Sequence, residues 1–319
     1  MRESIGSSVL LVLNRFSKLA LLTSMLAFAS DSGRSKSTTI VAPGGSIDVV
    51  LAGREELAVA DENLIAWVGA ASKSVTTYFG RYPVPHVAVR IDADDGRGVH
   101  SGRTFGSPVA LITISVGRKT NLADLKLDWT MTHEMVHLAF PSVAERHHWI
   151  EEGTATYVEP IARVQSGILE SSKMWGDLIR DLPQGLPGPG DQGLDVTHTW
   201  GRTYWGGALF CLLADVEIHQ RTHNQRGLED ALRGILASGG NITQDWPLER
   251  ALRVGDEATG TRVLENLYAE MKDKAVMVNL PSLWRELGIQ RSQKGDISFT
   301  DDAPLASVRK SITAGIAPR

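Results

Sequence analysis

The residues best placed to do chemistry are His133, Glu134 and His137, in the run Thr132-His133-Glu134-Met135-Val136-His137. On a helix, side chains four positions apart stand one turn above the other on the same face. Imidazoles at 133 and 137 can therefore share one zinc ion. Glu134 is rotated by about 100° from His133, so its carboxylate flanks the metal without having to bind it. A carboxylate so placed can hold a water on the metal and take its proton. The spacing predicts metal-assisted hydrolysis, provided a third ligand exists and one position stays open.

That third ligand is not the histidine of a metzincin, because the two positions that would decide it are Phe140 and Val143. Pro141 stops the first helix soon after His137, since it cannot continue the hydrogen-bond ladder. A short connection over 142–148 leads to Trp149-Ile150-Glu151-Glu152-Gly153-Thr154-Ala155-Thr156-Tyr157-Val158-Glu159, which reads as a second helix. Either Glu151 or Glu152 can supply the missing carboxylate.

This run, W-x-x-E-G-x-A-x-Y-V-E, resembles the second zinc helix of the gluzincin peptidases, above all the aminopeptidase N family. The resemblance implies that Glu152 is the third ligand and that Gly153 lets the helix pack closely. It also implies that Glu159 supports the site from behind the ligands. His147 and His148, adjacent in the connection, favour the surface over a ligand role because adjacent side chains diverge, and they are left unassigned.

A donor for the carbonyl oxygen is expected as well, because water attack on an amide builds negative charge there. Arg202-Thr203-Tyr204-Trp205-Gly206-Gly207-Ala208-Leu209 is similar to the Y-x-K-G-A-L element of the aminopeptidase N family, with Gly206 in place of its basic residue. The resemblance assigns Tyr204 as that donor, at the start of an apolar helix. Ordinary aromatic packing of Tyr204 and Trp205 is the alternative.

The elements that must position these groups begin with an amphipathic stretch over 62–80, in which Leu64, Trp67, Val68, Ala71, Val75 and Phe79 recur at helical spacing. It ends at Phe79-Gly80-Arg81-Tyr82-Pro83-Val84-Pro85, followed by a strand from His86 to Ile91. Helix, F-G-x-Y-P-x-P and strand together resemble the lead-in to many gluzincin domains. Val109 to Ser115 is a second apolar strand, expected either as the edge that pairs with an extended substrate or as a plain core strand. The G-x-M-E-N motif of the aminopeptidase N family, whose Glu grips a free amine, is absent; the nearest segment is Gly102-Arg103-Thr104-Phe105-Gly106. That departure removes the warrant for calling the chain an aminopeptidase.

At 319 residues the chain can bury an ample core. Its net charge of −4, with 22% charged residues and no long basic run, argues against nucleic acid as a partner. Arg15 and Lys18 precede an apolar run over 19–29 that closes on Ala27-Phe28-Ala29, which reads as a secretory signal peptide over 1–29. The run is too short to span a bilayer, so no stable membrane span is expected once the signal is removed. A flexible leader over 30–45, a peptidase domain over 46–275 and a C-terminal extension over 276–319 packed on it complete the expected organisation. The lone Cys211 lies in an apolar helix and reads as core. Export without disulfides fits a periplasmic or extracellular location.

The fold implied is α+β, a thermolysin-like zincin domain with a mixed β-sheet and the HExxH helix first and a mainly helical half second. The activity implied is zinc-dependent peptide-bond hydrolysis, with one zinc ion on His133, His137 and Glu152, Glu134 as general base and Tyr204 on the oxyanion. A peptide or protein is then the substrate. An aminopeptidase, a zinc hydrolase of another amide or ester, and a silent zinc-binding protein are the rival readings.

Overall fold

Strands of alternating apolar and polar residues build the first half of the chain. The computed structural model describes residues 36–52 and 57–314. In it, β1 (Lys36–Ala42), β2 (Gly45–Ala52), β3 (His86–Asp94), β4 (Val99–Phe105) and β5 (Leu111–Gly117) form one sheet. The spatial order is β1-β2-β3-β5-β4. β2, β3 and β5 run parallel at the centre, and β1 and β4 are antiparallel edges. Ile47, Val49, Val89, Ile91, Ile112 and Ile114 are buried on one face. Asp48, Arg90, Asp92, Thr113 and Ser115 alternate with them on the other, the signature of a sheet covered on one side only.

Helix α1 (Asp61–Phe79) makes the crossover between β2 and β3 and stops at Gly80, which takes the left-handed conformation (φ 76°). After β5 come α2 (Leu122–Leu127), α3 (Thr130–His137), α4 (His148–Gln165) and α5 (Ser171–Asp181). The helical half continues with α6 (Gly207–Arg221), α7 (Leu228–Ala237), α8 (Leu248–Thr259) and α9 (Val263–Met271). The C-terminal segment adds α10 (Leu280–Glu286), the small hairpin of β6 (Ile289–Arg291) and β7 (Ile297–Phe299), and α11 (Ala306–Ala314). It packs on the same body: Gln165 Nε2 donates to the Ile312 carbonyl at 3.1 Å, and the Trp284 ring meets Trp175 edge to face. No helix among the described residues is long and apolar enough to cross a membrane.

One expectation is corrected and one open choice is decided. The flexible leader expected over 30–45 gives way from Lys36 onward to β1 and its turn into β2. Thr38, Thr39, Ile40 and Val41 are β-branched, and Pro43-Gly44, with Gly44 at φ 93°, has the residues of a type II turn. The apolar strand after Pro108 is not the free edge either, because β5 lies between β3 and β4. Its buried alternation comes from having a strand on each side. The edge is β4, whose polar sequence hid it; edge strands commonly carry charged and polar residues. The signal peptide expected over 1–29 lies outside the described residues.

Candidate metal centre

Helix α3 is started by Asp128, whose carboxylate accepts hydrogen bonds from the N–H groups of Thr130 and Met131, each at 3.1 Å. Trp67 Nε1 holds that carboxylate from α1 at 3.1 Å. At the other end the Leu138 carbonyl accepts from the Ile242 N–H at 3.2 Å, and Ser142 bridges to Asp245. These contacts tie a loop of the helical half to the exit of α3 and place Ile242 in the wall of the cleft.

His133 and His137 project from α3 toward Glu152 on α4. His133 Nε2 lies 3.2 Å from Glu152 Oε2, and His137 Nε2 lies 3.5 Å from the same oxygen. One ligand atom from each of the three residues falls within 4.8 Å of the others. A tetrahedral zinc ion, with bonds of about 2.0–2.1 Å, sets its ligands about 3.3 Å apart. Two imidazoles and a carboxylate at this spacing fit zinc in both chemistry and size.

Glu151, the rival ligand, is committed elsewhere. Its carboxylate accepts from the Val143 N–H at 3.1 Å and meets His148 Nδ1 at 2.9 Å. Burial opposes ionisation of Glu152, but His133, His137 and His148 outweigh it and hold this carboxyl far below the usual range. Glu151 and then Glu152 push His148 up to about 10. Burial works against a proton on His137 too, yet Glu152 raises it overall. Metal uptake must therefore expel protons from the site.

Glu134 faces the cleft next to the edge strand. Thr104 Oγ1 on β4 lies 2.7 Å from Glu134 Oε2 and 2.9 Å from its main-chain oxygen. Gly102 makes room for the carboxylate, since a Cβ there would stand 2.5 Å from Glu134 Cγ. Tyr204 comes from a π-turn over Arg202–Gly206, just ahead of α6. Such turns inside helices are common at functional sites. Its ring stacks on His133 with centroids 6.4 Å apart and on Trp200 at 5.6 Å. Burial, then the charges of Glu152 and Glu134, push the phenol up to about 12, so it remains a hydrogen-bond donor at neutral pH.

The cleft has two arms that meet at these residues. One, of about 850 Å³, is lined by Arg103, Phe105, Pro108, Phe140, His148 and Ile242. The other, of about 460 Å³, is lined by Val99, His100, Leu127, Asp128 and Trp129. Gly102, His133, Glu134 and Tyr204 belong to both.

The structure thus brings His133, Glu134, His137, Glu152 and Tyr204 together, and leaves Glu159 apart. Glu159 is buried and accepts from Arg163 Nη1 at 2.7 Å; no hydrogen bond joins it to His133, His137 or Glu152 among the described residues. His148 meets Glu152 directly, with Nε2 3.3 Å from Oε1. His147, expected on the surface, is buried with Nδ1 2.9 Å from Asp195 Oδ1, which also accepts from Trp149 Nε1 at 2.8 Å.

No protein-family model and no curated protein matches the sequence. Solved structures do resemble the fold. An aminopeptidase N family protein from Idiomarina loihiensis matches with a TM-score of 0.61 at 15% identity, over 82% of this chain and 50% of its own. An M1 zinc metallopeptidase from Deinococcus radiodurans matches with a TM-score of 0.51 at 15% identity, over 78% and 54%. A two-domain M1 zinc metallopeptidase bound to L-arginine matches with a TM-score of 0.51 at 14% identity, over 77% and 54%. The chain spans about half the length of the solved structures it matches. At such identities the likeness establishes the fold, a mixed α+β domain of the kind found in M1 zinc metallopeptidases, with a His-His-Glu cluster able to hold a metal ion.

Proposed function

We propose that this chain is a zinc-dependent peptidase of gluzincin type that cuts bonds within peptide chains. The observation that carries this reading is the convergence of His133, His137 and Glu152 with Glu134 and Tyr204 where the two arms of the cleft meet. Zinc held by the three ligands would polarise the scissile carbonyl and make water acidic enough to attack it. Glu134, oriented by Thr104, takes the proton of the attacking water and passes it to the leaving amine. Tyr204 donates a hydrogen bond to the carbonyl oxygen as negative charge builds there. The free edge of β4 offers its backbone to an extended peptide, which then lies across both arms. A chain continuing on both sides of the catalytic residues is the geometry of an internal bond.

The aminopeptidase N family protein among the structural neighbours favours a second reading, removal of N-terminal residues. Peptides with free and with acetylated N-termini separate the two. Cleavage of the acetylated set by zinc-loaded protein supports the first reading, and strict dependence on a free amine supports the second. The thermolysin-like description of the domain and an exported location remain part of the proposal, the latter resting on the basic and apolar pattern over 15–29.

A further inference from the structure

The acids of the cleft are all engaged. Glu134 takes the Thr104 hydroxyl; Glu151 takes the Val143 N–H and His148; Glu152 faces three imidazoles. His148, a third imidazole of the larger arm beside His133 and His137, is spent on Glu151 and Glu152. Arg103 is different. It lies on β4 between Gly102 and Thr104, lines that arm, is exposed, and pairs with no carboxylate among the described residues. A guanidinium held on the substrate-binding edge strand presents a planar fork of donors to whatever peptide lies there. Its charge also reaches the Tyr204 phenol, where it offsets part of the rise caused by burial and the neighbouring carboxylates. Around it, Phe105, Pro108, Phe140 and Ile242 supply apolar walls.

We propose that Arg103 sets the specificity of the cleft by binding a substrate carboxylate close to the scissile bond. This rests on the peptidase reading and deepens it: the substrate class is acidic peptides, and a positively charged group in that arm is repelled. The carboxylate can come from an Asp or Glu side chain or from the C-terminus of a short peptide.

The test uses zinc-loaded full-length protein and acetylated peptides carrying Glu, Gln or Lys beside the cleavage point, each with a free or an amidated C-terminus. Wild type should cut Glu over Lys peptides with kcat/KM higher by about tenfold or more. Arg103→Glu should reverse that order, while Arg103→Lys keeps its direction and Gln peptides are cut by all three proteins. Preference that follows the free C-terminus instead of the Glu side chain assigns the carboxylate to the chain end. An equal loss of kcat/KM on every peptide in Arg103→Glu overturns the proposal, because it places Arg103 in the reaction and not in selection. Wild type that cuts peptides without regard to charge overturns it too, and leaves the peptidase reading intact. Zinc-loaded wild type that cuts no peptide overturns both.

Discussion

Gly153 and Gly207 touch backbone to backbone: a Cβ on Gly153 would stand 2.3 Å from Gly207 Cα, and one on Gly207 would stand 2.0 Å from the Trp149 carbonyl oxygen. The contact fixes how closely α4 approaches α6. Gly153 directly follows Glu152, the proposed third ligand, and Gly207 lies three residues after Tyr204. The distance between a proposed ligand and the proposed oxyanion donor is thus set by the absence of two methyl groups.

Alanine at either glycine must therefore push the helices apart. Gly153→Ala is expected to cost about 1–3 kcal/mol of stability, the usual range for overpacking. It should also weaken zinc binding by displacing Glu152. Thermal melting and zinc titration check both effects, and a variant with wild-type melting temperature and affinity would refute the spacer role.

The proposed ligands and the proposed base should separate cleanly. His133→Ala and Glu152→Ala are expected to lose zinc, measured as metal per chain after gel filtration. Glu134→Gln should keep zinc and lose about 10²–10⁴ in kcat, the range for a general base. A Glu152→Ala protein that retains stoichiometric zinc would mean the third ligand lies elsewhere.

Tyr204→Phe removes a donor that acts only once charge has built on the carbonyl oxygen. It should lower kcat by about 10²–10³ with KM little changed. A change confined to KM would place Tyr204 in substrate packing beside Trp200, the other role its ring stacking permits.

Thr104 makes a contact the sequence conceals, since it is 30 positions from Glu134 in the chain. Thr104→Val keeps the shape and the β-branch but removes the hydroxyl 2.7 Å from Glu134 Oε2. With zinc content and melting unchanged, kcat should fall by about tenfold, in line with one lost charge-assisted hydrogen bond. Equal turnover would show that Gly102 and the helix alone orient the base.

What the sequence disclosed follows from the range of each interaction. His133, Glu134 and His137 sit within one helical turn or so, and the E-G-x-A register carried Glu152, so the cluster was legible as spacing. Tyr204 was legible because its neighbours Gly207, Ala208 and Leu209 belong to one local element. Thr104, His148 and the edge role of β4 depend on pairing across the fold, and nothing local marks them. β4 is polar because it is an edge, so its alternation is faint. Glu159 came from the resemblance alone, and the contact the fold gives it is with Arg163, one turn further on.

The pH dependence of stability offers a check away from the cleft. Glu229 is buried at the start of α7, and burial raises its carboxyl from 4.5 to about 7, against the pull of Arg233 and the Gln165 amide. An acid with a raised pKa in the folded state binds its proton more tightly there than in the unfolded chain. Its contribution is therefore complete below about pH 4.5 and is lost as pH rises through about 7. Glu229→Gln keeps an oxygen for Gln165 Nε2, which donates to Glu229 Oε2 at 3.1 Å, and removes the titration. Between pH 5 and pH 8 wild type should lose up to about 3 kcal/mol relative to this variant, so the variant melts progressively higher as pH rises. Parallel melting curves across that range would mean that Glu229 is already ionised without penalty in the folded protein.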